Sequence, residues 1–248
     1  MMKWRIIKHE THHPHMNVAL EEAIIESVTE GGPPTIRFYE WDPSSVVIGY
    51  FQNIHDEVDL QKCDELGIHC VRRITGGGAT LLDKDRELTY SVYAPADLLT
   101  RDITKSYKIV CGWLINSLAH IGIEAEFKPI NDVIVNGKKI SGTAATLRRG
   151  VLLVHGTLLY DLDLRKMFSV LKVGQEKISD KFIAAVEERV TCVRHHKDIN
   201  KEEVKRALIE GFTEGKDFYF GSLSEKELQH ARYLVKSKFA TREWNLRR

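Results

Sequence analysis

The sequence predicts an α+β fold, and three observations carry that prediction. Strand-like segments crowd the chain up to residue 160, helical and capped segments dominate after it, and an Asn-Gly dipeptide between two apolar runs marks a tight hairpin. With 248 residues, 43% hydrophobic and 29% charged, the chain can bury a sizeable core, and without repeats, low-complexity tracts or linkers the economical assignment is a single domain over 1–248. Lys+Arg 36 against Asp+Glu 35 leaves a net charge of +1, which excludes a global electrostatic pull toward nucleic acid or an acidic membrane. Cys63, Cys70, Cys111 and Cys192 form no metal-ligand spacing and read as buried free thiols. With no signal peptide or long apolar run, they suit a reducing cytoplasm, the expected location.

The elements follow in order. After a short apolar start at Trp4-Arg5-Ile6-Ile7, residues 17–29 place Ala19, Leu20, Ala23, Ile24 and Val28 at helical spacing, and Gly31-Gly32-Pro33-Pro34 ends the helix. Residues 35–41 and 45–50 read as strands joined by Asp42-Pro43-Ser44, an early hairpin. Residues 56–66 read as a helix capped by Gly67, and 68–73 as a strand. That strand delivers the chain into Arg72-Arg73-Ile74-Thr75-Gly76-Gly77-Gly78-Ala79-Thr80. Residues 87–94 alternate as a strand, and 103–121 carry an apolar helical stripe ending at Gly122. Asn136-Gly137 supplies both positive-φ residues of a type I′ turn within 132–140, with the second strand running toward Thr143. Residues 151–160 form a further strand, 164–171 and 180–188 read as helices, and Asn200-Lys-Glu-Glu203 and Ser224-Glu-Lys-Glu227 each resemble a capping box.

Three constellations could carry chemistry. The glycine run suits an anion, because three glycines strip the backbone of bulk while two arginines add planar charge; a plain glycine-rich surface loop is the alternative. It is neither a P-loop nor a dinucleotide fingerprint, since no Gly-Lys-Ser/Thr follows and a strand rather than a helix comes next. His9-Glu10-Thr11-His12-His13 matches H-E-x-x-H, but Pro14 follows at once and the stretch lacks an apolar helical face, so the zinc reading is rejected in favour of a solvated or pocket-lining segment. In Lys138-Lys139-Ile140-Ser141-Gly142, alternation puts Lys139 on the face opposite Lys138 and Ile140, and Gly142 leaves room for close approach; two solvated lysines are the alternative. Asn131-Asp132 could hold a divalent ion or simply form a turn, and His155, taken alone, reads as a hydrogen-bonded core histidine.

Taken jointly, the order Arg72-Arg73-x-Thr75-Gly-Gly-Gly78-Ala79, then Asn131-Asp132, then Gly137-Lys138-Lys139-Ile140-Ser141-Gly142 resembles the catalytic domain of lipoate-protein ligases, a family that also includes biotin ligases and octanoyltransferases. Asn17-Val-Ala-Leu-Glu-Glu-Ala, Trp41-x-Pro43, Ile48-Gly49-x-x-Gln52, Val170-Leu-Lys-Val and Glu188-Arg-Val-Thr191 extend the likeness over most of the chain. The resemblance implies a mixed, largely antiparallel β-sheet with flanking helices. It implies activation of lipoate or octanoate by ATP to an acyl-AMP, then transfer to a lysine of a lipoyl carrier, either the glycine cleavage H protein or a 2-oxoacid dehydrogenase E2 lipoyl domain. Lys139 would bridge the acyl carboxylate and the α-phosphate. Arg73, Gly78, Ala79, Thr80 and Leu81 would hold ATP; Arg72, Thr75, Gly76, Gly77, Gly142 and His155 would shape the acyl-adenylate pocket; and Mg2+ would sit near Asp132 and Asn131.

Two departures bear on that reading. Glu87-Leu-Thr-Tyr-Ser-Val is closer to the octanoyltransferase branch, which moves an acyl chain from acyl carrier protein through a cysteine thioester without ATP. Its nucleophile belongs just before the Asn-Gly hairpin, where Phe127-Lys128-Pro129-Ile130-Asn131-Asp132 has no cysteine, and it tends to have arginine where this chain has Gly78. Larger ligases also add a C-terminal accessory domain, whereas this chain stops near Trp244-Asn245, so the expectation is an absent accessory domain and a separate accessory polypeptide. A biotin ligase and a catalytically inert lipoate- or nucleotide-binding module complete the alternatives.

Overall fold

The computed structural model describes residues 2–172 and 179–247. Val173, the last residue of one family-like segment, lies outside the described residues. Strand β1 (Trp4–His12) is longer than its apolar start suggested, because it continues through the histidine-rich segment. Helix α1 (Pro14–Thr29) begins with proline at its first turn, where a missing N–H costs nothing. Then follow β2 (Thr35–Trp41), β3 (Ser45–Ile48), α2 (Ile54–Glu57), α3 (Leu60–Glu65), β4 (His69–Arg72), β5 (Thr80–Leu82), β6 (Glu87–Pro95) and α4 (Ile103–His120). The remainder is β7 (Glu126–Lys128), β8 (Asp132–Val135), β9 (Lys138–Arg148), β10 (Val151–Leu159), α5 (Leu164–Val170), α6 (Asp180–Glu187), α7 (Lys201–Thr213), β11 (Phe218–Gly221), α8 (Glu225–Leu234) and α9 (Arg242–Asn245).

An eight-stranded sheet runs in the order β11-β1-β2-β6-β10-β9-β8-β7. β1 pairs parallel to both β11 and β2, and every other pairing is antiparallel, so the sheet is mixed and largely antiparallel as expected. Strand alternation splits its side chains between two cores. Ile36, Phe38, Leu152 and Val154 face α4 and α7, while Tyr39, Leu153 and Tyr93 face α1 and α8. Burial of those two faces supplies the main driving force. Both predicted capping boxes form, at Asn200 on α7 and Ser224 on α8.

The early hairpin does not form. β2 stays in the large sheet, while β3 crosses into a second sheet of order β4-β3-β5. The reason lies in burial: Ser45-Val-Val-Ile48 is buried throughout, and a short apolar run names no partner strand. The helix expected over 56–66 is two helices, capped by Asn53 and Asp59, because Val58 is extended and bridges to Leu171. β9 runs past Thr143 to Arg148, β5 is the strand expected after the glycine run, and β7 and β11 escaped the pattern reading. Among the described residues no helix is long and apolar enough to cross a membrane.

Candidate functional site

A cavity of about 340 Å³ lies between the α1 side of the large sheet and the glycine loop that joins β4 to β5. α1 contributes Val18 and Glu21, β2 Tyr39 and Trp41, β9 Gly142, Thr143 and Ala144, and β10 His155, Gly156 and Thr157; residues 77–80 form the facing wall. That size and mixed lining suit a small organic ligand.

The loop is shaped from within by Arg73. Its guanidinium donates to the carbonyls of Val47 (3.1 Å), Gly76 (2.7 Å) and Gly78 (2.8 Å) and to Thr75 Oγ1 (3.0 Å). Burial lowers this guanidinium to about 10, so it remains charged at neutral pH. Gly77 adopts φ +94°, and its carbonyl lies 2.0 Å from where a side chain on Gly49 would begin. Glycine at 49 is therefore required for the loop to seat. Thr75 is fully buried and meets His155 Nε2 at 2.8 Å, while His155 Nδ1 meets the Glu21 carboxylate. Tyr39 donates to the same carboxylate oxygen at 3.0 Å, its phenol held well above the usual range by burial and so protonated.

Lys139 enters from the hairpin. Its backbone N–H donates to Arg189 O and its carbonyl accepts from Thr191, both at 2.8 Å, so residues 189–191 clamp the start of β9. Its ammonium pairs with Asp132 Oδ1 at 2.6 Å and lies over Gly142, where an added Cβ would fall 2.7 Å from Nζ. Gly142 is thus the space that the ammonium occupies. Asn131 engages its side-chain amide on the Thr143 carbonyl, and Thr143 donates back to Asn131 O at 2.9 and 2.7 Å.

Of the residues singled out by sequence, Arg73, Gly77, Gly78, Ala79, Thr80, Asn131, Lys139, Gly142 and His155 line this cavity. Thr75 and Gly76 stand behind its wall, and Asp132 reaches it through Lys139. Arg72 and Leu81 do not line it. Arg72 points the other way from Arg73, as alternation along β4 demands, and binds the carbonyls of Gly49, Gln52, Trp244, Asn245 and Arg247. Leu81 packs with Val46, Ile48 and Val58 in the small core. For magnesium the fit is poor: Asp132 is paired to Lys139, Asn131 is engaged, and among the described residues no group of three His, Cys, Asp or Glu could hold a metal. No step below is routed through a metal.

Sequence reasoning missed Glu21, Tyr39 and Trp41. Glu21 had a signal, since it interrupts the stripe formed by Val18 and Ile25 three and four residues away, where a buried carboxylate needs a partner. Tyr39 and Trp41 share a strand face by period two, but aromatic strand residues are usually core.

The sheet, the glycine loop and the hairpin lysine sit in a chain whose residues 13–213 match the family model for the lipoyl protein ligase A/B catalytic domain. The chain belongs to that family of enzymes. It is 38% identical to "Lipoate-protein ligase A subunit 1" of Thermoplasma acidophilum, covering 99% of this chain and 97% of the relative. It is 34% identical to "Octanoyltransferase LipM" of Brevibacillus brevis, covering 100% of both, and further relatives at 30 to 34% carry the same octanoyltransferase name. Among solved structures, a bi-partite lipoate protein ligase from T. acidophilum, described with its E2 lipoyl domain, superposes with TM-score 0.91 at 37% identity, covering 99% of this chain and 97% of that one. A lipoate-protein ligase A bound with ATP gives TM-score 0.86 at 34% identity, covering 99% of each chain.

Proposed function

We propose that this chain activates lipoate or octanoate with ATP and passes the acyl group to a lysine of a lipoyl carrier domain. The observation that carries the reading is Lys139, whose ammonium stands in the cavity wall over Gly142 and opposite residues 77–80, with no thiol in that wall. In the first step an acyl carboxylate oxygen attacks the α-phosphorus of ATP, the bond from that phosphorus to the β-phosphate's bridging oxygen breaks, and pyrophosphate leaves. Lys139, in the cavity wall, would face both the carboxylate and the α-phosphate, its ammonium offsetting the negative charge that builds between them. Substrate would displace Asp132, which holds that ammonium until then. In the second step the carrier amine attacks the acyl carbonyl carbon, AMP departs with the bonding pair, and the amine loses its proton. The Thermoplasma relative is a subunit and its structure that of a bi-partite ligase. By likeness to it, this chain would act with a second polypeptide.

The names of the relatives favour a second reading, an ATP-independent octanoyltransferase drawing on acyl carrier protein, more than they favour the ligase. That chemistry needs a thiolate at the cavity. Cys111 touches a lining residue, with Sγ 3.7 Å from Thr143 Oγ1, but it is fully buried and burial raises its thiol to about 11. The remaining thiols, at 63, 70 and 192, do not line the cavity either. Intact mass spectrometry after mixing with octanoyl-acyl carrier protein separates the two: the ligase stays unmodified, whereas a cysteine-bound octanoyl adduct would establish the transferase.

A further inference from the structure

The chain of hydrogen bonds from α1 to the glycine loop has a single polarity. The Glu21 carboxylate, 2% exposed, assigns the proton of a neutral His155 to Nδ1, which donates to it; with that tautomer Nε2 accepts from the Thr75 hydroxyl at 2.8 Å, and Thr75 Oγ1 accepts in turn from Arg73 Nε at 3.0 Å. Arg73 then fastens the carbonyls of Gly76 and Gly78. Glu21 belongs to α1, His155 to β10, and Arg73 and Thr75 to the loop between β4 and β5, so three separate segments meet in one buried line.

One member of that line faces both ways. His155 lines the cavity, 8% exposed, and also holds Thr75, which is fully buried behind the loop. We infer that the Thr75–His155 hydrogen bond links the acyl cavity to the glycine loop, making Thr75 and His155 positioning residues through which an acyl acid strengthens nucleotide binding. This rests on the ligase reading. In a water-filled cavity the Thr75–His155 bond competes with solvent at the imidazole edge; an apolar chain in the cavity excludes that water and strengthens the bond in a lower dielectric. A loop already stiffened through Arg73 costs less to order when a nucleotide arrives. Because the linkage works by excluding water, octanoate should produce it as well as lipoate.

The test is calorimetric titration of the chain, together with its second polypeptide where one is required, using a non-hydrolysable α,β-methylene ATP analogue with and without saturating octanoate. Octanoate should tighten the analogue about fivefold, and the analogue should tighten octanoate by the same factor. Thr75→Val removes the hydroxyl at constant shape and should bring the factor near one while octanoate alone still binds; Thr75→Ser should restore it. His155→Gln breaks the same bond from the other side and should also bring the factor near one, with octanoate itself bound more weakly because His155 lines the cavity, which keeps the test open if one variant fails to fold. A wild-type factor of one, or full coupling in both Thr75→Val and His155→Gln, overturns the linkage and leaves the ligase reading standing. No nucleotide binding by wild type under any condition overturns both.

Discussion

Lys139 and Gly142 act as one unit, because the ammonium occupies the volume that any side chain at 142 would take. An added Cβ would meet the flexible end of Lys139, at 2.7 Å from Nζ and 2.8 Å from Cε, with Asp132 Oδ1 next at 3.5 Å. Gly142→Ala should therefore fold with a melting temperature close to wild type yet lose acyl transfer by at least tenfold, measured as acylation of a lipoyl domain. Unchanged activity would mean that the lysine position does not matter. Arg72 makes the opposite case: buried, it ties β4 to the loop after β3, at 2.6 Å to Gln52 O, and to the C-terminal segment, at 2.7 Å to Arg247 O. Arg72→Ala should cost about 3 kcal/mol or more of stability by leaving buried carbonyls unpartnered, visible as a lowered urea midpoint. The resemblance gave both neighbouring arginines a place at the site, and only Arg73 lines the cavity. Alternation says that they part; only the three-dimensional neighbours say that Arg73 turns to the loop and Arg72 to residues 244–247.

At the scale of elements, the site depends on a loop seated between two sheets. Gly49, at the end of β3, lies against the Gly77 carbonyl, and a methyl there would meet backbone at 2.0 Å rather than a movable side chain. Gly49→Ala should destabilise by about 1–3 kcal/mol and weaken nucleotide binding together, checked by thermal unfolding and titration of the ATP analogue. Retained stability would show that the loop is free to move away. The Asn136-Gly137 hairpin, the long helix α4 and both capping boxes were legible because each rests on local chemistry: positive φ, a 3.6-residue stripe, or reciprocal cap bonds. The β2–β3 crossing was not, because strand partners are chosen by long-range burial that a run such as Ser45-Val-Val-Ile48 cannot specify. For the same reason Glu21 joined the site only once α1 was packed beneath β10.

Over the whole molecule, histidines give acid a direct hold on stability. Burial, with lesser contributions from neighbouring charges, lowers both His9 and His15 to about 4, against 6.5 when unfolded. Between those values the unfolded chain binds more protons than the folded one. Their contribution is thus complete above about pH 6.5, falls as the pH drops toward 4, and levels off below. Urea midpoints should decline between pH 7 and 5, less steeply in His15→Gln; a flat profile would contradict the burial of these rings. At this scale the family, the mixed sheet and the loop and hairpin residues of the cavity wall were readable from the ordered motifs, while the residues that α1 and β2 bring to it were not. What the motifs left open was the donor of the acyl group, since Glu87-Leu-Thr-Tyr-Ser-Val points toward transferases while the cavity wall holds a lysine and no thiol. Pyrophosphate exchange into ATP, driven by lipoate or octanoate and run with and without a candidate second polypeptide, decides it most directly. Exchange that requires the acyl acid, survives thiol alkylation and falls by about 10²–10³ in Lys139→Ala is the predicted result; no exchange by the wild-type chain under any condition, or full exchange by Lys139→Ala, would contradict it.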